Sequence, residues 1–179
     1  MAWERLAHVA LSSAGDTIDS GTFTAKENLV VMLYVIPSGT ANVRFRFNSD
    51  TGSNYADRKQ SNGGTDGAVT SQTSIRIGTG VSANQYQNNV IYISNKANNE
   101  KILLAESIKT ATGAGTTPDR QETGGKWVNT SDSITSIQAI NTDSGDFAAG
   151  SYITVFGATS TTTTDEKTTL TNVPAGTLY

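Results

Sequence analysis

Residues 41–47 alternate strictly between apolar and polar. Ala41, Val43, Phe45 and Phe47 fall on one side, and Asn42, Arg44 and Arg46 on the other. Period-two alternation marks a strand with one buried and one wet face. Residues 29–36, from Leu29 to Ile36, are apolar on both sides, too short a run for a helix, and are followed by Pro37-Ser38-Gly39. That pattern predicts a central strand covered on both faces. Further strands are predicted at 3–12, 17–24, 55–60, 70–78, 89–94, 101–109, 120–128, 134–140 and 151–157. Segment 101–109 is the best helix candidate by propensity. Ile102, Leu104 and Ile108 nevertheless share one side at period two, so it reads as a strand. Ser38-Gly39, Asp50-Thr51-Gly52, Asn62-Gly63-Gly64, Asn98-Asn99 and Ser144-Gly145 supply turns between the strands. Short strands and frequent turns predict an all-β fold, a sandwich or barrel.

Composition narrows the chemistry. The chain has 179 residues, enough for one domain with a real core. Only 16% of them are charged, against about 25% in ordinary domains. Thr, Ser, Asn and Gly make up roughly four in ten, so most polar surface is uncharged hydroxyl and amide. There is no Cys, which excludes a disulfide framework, a thiolate zinc site and a cysteine nucleophile. The single His, His8, sits between Ala7 and Val9 in a predicted strand and has no signalled catalytic partner. A net charge of −3 argues against a nucleic-acid binder, which needs a basic stripe. No apolar run approaches the ~20 residues of a membrane helix. No secretory signal is expected from Met1-Ala2-Trp3-Glu4-Arg5.

Two segments depart from the rest. Residues 61–95 carry only two charges, Asp66 and Arg76. The Thr-rich segment 158–179 has almost no large apolar residue before Leu170, so it cannot offset its own ordering entropy. It reads as a tail that docks on a neighbouring subunit, with strand addition by 168–173 as the mode. Leu170, Val173 and Tyr179 are its expected contacts. Arg44 and Arg46, on one strand face, are expected to pair with acids of a neighbour. The expected units are therefore a sandwich over 1–157 and a docking tail over 158–179.

Three stretches carry a family resemblance. They are Trp3 with Thr17-Ile18-Asp19-Ser20-Gly21-Thr22-Phe23-Thr24-Ala25; Arg46-Phe47-Asn48-Ser49-Asp50-Thr51-Gly52-Ser53-Asn54-Tyr55-Ala56-Asp57-Arg58; and Ile134–Ile137 followed by Ser144-Gly145-Asp146-Phe147-Ala148-Ala149-Gly150-Ser151 and Tyr152–Gly157. In this order, over about residues 3–157, they resemble a family of tailed-virus virion proteins, common in phage genomes. The resemblance implies an antiparallel β-sandwich of jelly-roll type on the virion surface. The Thr-rich extension departs from that family's usual ending. Read physically, the same motifs are turns and core plugs: Gly52 is expected to take positive φ, Tyr55 to cover the sheet, and Phe147 to enter the core from its loop.

Catalytic and metal patterns are sparse. Asn48, Asp50, Gly52 and Asn54, with Asp57 behind, alternate as calcium-loop ligands do, but the second early acid and the closing Glu are missing. The other turn acids, Asp16, Asp66, Asp143 and Asp146, suit Asx hydrogen bonds. Gly63-Gly64 and Gly124-Gly125 lack the Lys and helix of a phosphate loop. No catalytic, cofactor or metal residue is assigned. A sugar site is a further candidate: Tyr86 with Gln85, Gln87 and Asn88 offers a ring and amides. Trp127 reads as core. The expected function is non-enzymatic: a head decoration or cement protein on the virion surface, a homo-oligomer (a trimer by capsid geometry) bound to viral capsid or tail proteins. The alternative is a receptor- or carbohydrate-binding module on a viral tail or fibre, recognising a host surface glycan.

Overall fold

The computed structural model describes residues 2–78, 80–110 and 113–159. Twelve strands are seen among them: β1 (Glu4–Ala10), β2 (Thr17–Asp19), β3 (Asn28–Val35), β4 (Val43–Phe47), β5 (Tyr55–Ser61), β6 (Gly67–Gln72), β7 (Ile75–Arg76), β8 (Gln87–Ser94), β9 (Lys101–Lys109), β10 (Asp119–Trp127), β11 (Ile137–Asn141) and β12 (Tyr152–Ala158). Every pairing is antiparallel. Leu170, Val173 and Tyr179, with the rest of the docking tail beyond Thr159, lie outside the described residues.

The strands form an eight-stranded sheet, β1-β12-β3-β8-β9-β10-β5-β6, and a four-stranded sheet, β2-β11-β4-β7. The first four strands of the large sheet and all four of the small one interleave in sequence. β1, β3, β8 and β12 lie in one layer, and β2, β4, β7 and β11 in the other. This is the nested antiparallel wrapping of a jelly roll. Two hairpin-like excursions, β5–β6 and β9–β10, pair with each other through β5 and β10 and extend only the large sheet. The extension therefore runs past the edge of the small sheet at β7.

The core follows the alternation. Val43, Phe45 and Phe47 face inward from β4, and Leu29, Val31, Leu33 and Val35 from β3. Phe147 closes the interior from its loop, bridging to Gly15 and Pro37. Gly39 and Gly145 are forced together there: a Cβ on Gly145 would meet the Thr40 amide nitrogen at 2.6 Å.

Three expectations are corrected. The strand over 70–78 is two strands in different sheets, because the chain crosses between layers at Thr73-Ser74, just after Ser71 takes positive φ. In segment 17–24 the regular strand ends at Asp19, although the Ser20 and Phe23 amides still donate to the Ile137 and Thr135 carbonyls and Phe23 is buried. Gly52 is not the positive-φ residue of its turn. Asn48 (φ 51°) and Ser49 (φ 56°) make the reversal, and the Asp50 amide donates to the Phe47 carbonyl. Gly52 is needed for space, since a Cβ there would meet Asn54 Nδ2 at 2.7 Å.

Candidate functional site

The 46–58 motif resolves into a structural lock. Asp50 Oδ2 accepts from Trp127 Nε1 at 2.7 Å and Asn54 Nδ2 at 2.9 Å, and Oδ1 from the Gly52 amide at 2.8 Å. Burial opposes ionisation of Asp50, but these three donors outweigh it and hold the carboxyl below its ordinary range. Tyr55 accepts from the Phe47 amide and donates to the Asp50 carbonyl at 3.1 Å, and its ring stacks on Trp127 at 6.4 Å. Asn48 Oδ1 accepts from the Thr135 amide. The side-chain oxygens of Asn48 and Asp50, two of the positions that alternate like calcium ligands, are thus spent on protein donors.

The outer face of the large sheet inverts the usual pattern. On β9 the side carrying Ile102, Leu104 and Ile108 points to solvent, while Lys101, Leu103, Ala105 and Ser107 are buried. Leu104 lies opposite Tyr92 on β8, Tyr92 opposite Val30 on β3, and Val30 opposite Phe156 on β12. Met32 stands one row along, opposite Val90. Tyr92, Ile102 and Leu104 are 54%, 58% and 51% exposed. With Trp3 they line a groove of about 470 Å³. Arg5 and Glu106, both exposed at this face, have no ion pair among the described residues. Sequence reasoning placed Ile102, Leu104 and Ile108 on one side of a strand; nothing in the alternation says which side faces in.

The sugar-site candidates separate. Tyr86 is exposed and stacks on Tyr34 (centroids 6.2 Å, planes 7° apart), which stacks on Tyr152 at 5.6 Å. Asn88 is exposed beside them. Gln85 Oε1 is taken up by the Ser82 amide. Gln87 is a correction: it opens β8 facing inward, is fully buried and donates to Ser107 Oγ, so it presents nothing to a ligand outside. His8 lies at the far end of this aromatic row, with Nδ1 2.8 Å from Thr154 Oγ1 and its ring against Tyr152.

The two arginines of β4 also separate. Arg46 Nε donates to the Thr73 carbonyl. Arg44 stands opposite Arg76 on β7, and both line a recess of about 230 Å³ with Lys59 of β5, Asn42, Val43 and Gly78. Behind the recess Asp57 is fully buried and bonds Arg76 at three points: Nε at 2.7 Å, Nη2 at 2.6 Å and the backbone amide at 3.1 Å. Burial, then Arg76 and Arg44, push the Lys59 ammonium below its ordinary range, against the pull of Asp57. Lys59, Asp57 and Arg76 were missed from sequence as a group. The inward alternation Tyr55, Asp57, Lys59 was the available signal, but the partner strand β7 is two residues long and carries no period of its own.

The low charge of 61–95 has a partly internal cause. Arg76 pairs with Asp57 and Asp66 with Arg58, while Ser74, Ile75, Ile77, Val81, Gln87 and Asn89 are buried. No family model matches the chain, and neither a curated protein nor a solved structure matches it. The fold defines the class: a jelly-roll β-sandwich with a hairpin-extended sheet.

Proposed function

We propose that the chain is a non-enzymatic structural protein of a virion surface, a head decoration or cement protein that works by lateral contact with further copies of itself. The virion setting rests on the resemblance of the three motif stretches. The contact role is supported by one observation, the continuous apolar row Phe156-Val30-Tyr92-Leu104 with Met32, Ile102 and Trp3 on the outside of the large sheet. Roughly half of each of five large side chains is open there, on the order of 500 Å² of apolar surface at about 200 Å² per chain. A contiguous patch of that size lies in the upper part of the ~300–600 Å² range of a monomer's largest patch, and such patches are often functional. It matches the apolar centre of a standard interface of about 800 Å² per partner. Arg5 and Glu106, without an ion pair among the described residues, supply opposite charges on the same face for the rim of a self-complementary contact.

The test is quantitation of the chain in purified particles carrying the wild-type protein or Ile102→Thr with Leu104→Thr. The expected result is many copies per particle for the wild type, and loss of the double variant from particles while its melting temperature as an isolated chain is unchanged. Few copies per particle, or full retention of the variant, overturns the reading. A low copy number would favour the second reading, a glycan-binding module, whose specific support is the stacked Tyr34–Tyr86–Tyr152 row with Asn88 beside it.

A further inference from the structure

Arg44 and Arg76 are direct cross-strand partners on β4 and β7. Like charges placed opposite each other weaken a sheet. Lys59 reaches the same recess from the facing sheet, so three cations line one concavity of about 230 Å³. The acid bonded beside them is Asp57, and it is committed to Arg76: Oδ1 takes the guanidinium and Oδ2 the backbone amide. Arg44 and Lys59 have no hydrogen bond or ion pair with any described residue. The excess positive charge is enclosed, so solvent screens it less than on an open face. Burial and the two guanidiniums already disfavour the Lys59 ammonium.

Such an arrangement is costly empty and complementary to one kind of ligand. We propose that this recess is an oxyanion-binding site, in which Arg44, Lys59 and Arg76 hold the phosphate or carboxylate group of a small ligand. The Arg44 guanidinium offers paired donors matched to two oxygens of such a group, Lys59 supplies a point charge beside it, and Arg76, whose Nε and Nη2 are held by Asp57 and the Gly67 carbonyl, adds its charge. The volume lies below the ~300–1,000 Å³ of pockets for drug-sized molecules, which limits the enclosed part to one charged group and its nearest atoms. The site does not depend on the virion reading, because it lies between β4, β5 and β7 and uses none of the outer apolar face.

The experiment is calorimetric titration of the full chain with inorganic phosphate and, in a second arm, with glucuronate. Ionic strength is held constant with sodium chloride. The proteins are wild type, Arg44→Gln and Lys59→Gln, which leave the Asp57–Arg76 pair in place. The expected result is saturable binding of at least one of the two anions by the wild type, with affinity reduced tenfold or more in each variant. Binding of phosphate alone identifies a phosphorylated ligand, and binding of glucuronate alone a sugar acid. Absence of saturable binding of either anion by the wild type overturns the proposal, and so does equal binding by wild type and variants. Should one variant fail to fold, the wild-type titration and the other variant still decide.

Discussion

The outer side of β9 and the inner side of β5 break the same rule in opposite directions. β9 turns Ile102, Leu104 and Ile108 to solvent, and β5 turns Tyr55, Asp57 and Lys59 toward the interior. The two errors differ in what they cost. Apolar surface in water costs about 25 cal/mol per Å² and is repaid by any apolar cover. A polar group indoors needs a partner of specific chemistry, or it must change its protonation state. β5 displays three answers on one strand. Tyr55 stays neutral, Asp57 is paired, and Lys59 is left short. An outward violation thus calls for a shape, an inward one for particular atoms, and the largest effects of mutation are expected indoors.

The strongest way to break the contrast is Asp57→Ala. It strips Arg76 of its partner while the guanidinium remains mostly enclosed, at 18% side-chain exposure. Removing one member of a buried ion pair costs about 3–5 kcal/mol. The low end is expected here, because Arg76 keeps a bond to the Gly67 carbonyl and an opening to the recess. Urea unfolding of the variant checks it; a loss below about 1 kcal/mol would mean the pair is not needed by the inner face of β5.

Tyr55 sharpens the contrast through pH. Burial pushes its phenol up to about 12 from an ordinary 10. The unfolded chain releases this proton near pH 10 while the folded one holds it, so stability is intact below pH 10 and falls as pH rises toward 12. At about 1.4 kcal/mol per pH unit the loss is roughly 2–3 kcal/mol across that window. Tyr55→Phe should be less stable at pH 7, having given up the bonds to Phe47 and Asp50, but its stability should lack this component of alkaline decline. Parallel declines in the two proteins between pH 10 and 12 would show that another group governs the alkaline limb.

Much of this fold is legible in the alternation of residues, and the reason is local. β4 and β9 carry their own period and β3 is an unbroken apolar run, so their existence and extent can be read without partners. What is not legible is relational. Which side of β9 faces in depends on the opposing layer, whose edge strand β7 packs on β5 and β10, and nothing local to β9 records that. β7 has two residues, too few for any period, yet it brings Arg76 to Asp57 and Arg44. Gln87 shows the same limit. An amide in a polar run reads as surface, and only the strand register places it against Ser107 inside. Asp50 reads as a turn residue, and it is one, but its partner Trp127 lies 77 residues away.

The smallest expected effect has the opposite sign, and it separates a strained group from a merely buried one. Lys59 is held below its ordinary range by burial and then by Arg76 and Arg44. A lysine that binds its proton less well folded than unfolded makes the protein less stable wherever both states would carry the charge. Stability is therefore regained as pH rises through the window between the folded value and the ordinary 10.5, opposite to the Tyr55 limb that follows. Lys59→Gln removes the charge and keeps much of the stem, so in anion-free buffer it should stabilise the chain at pH 7. The expected gain is about 0.2–1 kcal/mol, the scale of relieving like charges on facing positions. Added phosphate or glucuronate should erase that advantage, because the wild type alone regains from the anion what the lysine costs it empty. Thermal melts of the two proteins with and without the anion measure both effects. A variant less stable than wild type in anion-free buffer would mean that Lys59 is held by the fold for its packing, and that the recess carries no electrostatic strain for a ligand to relieve.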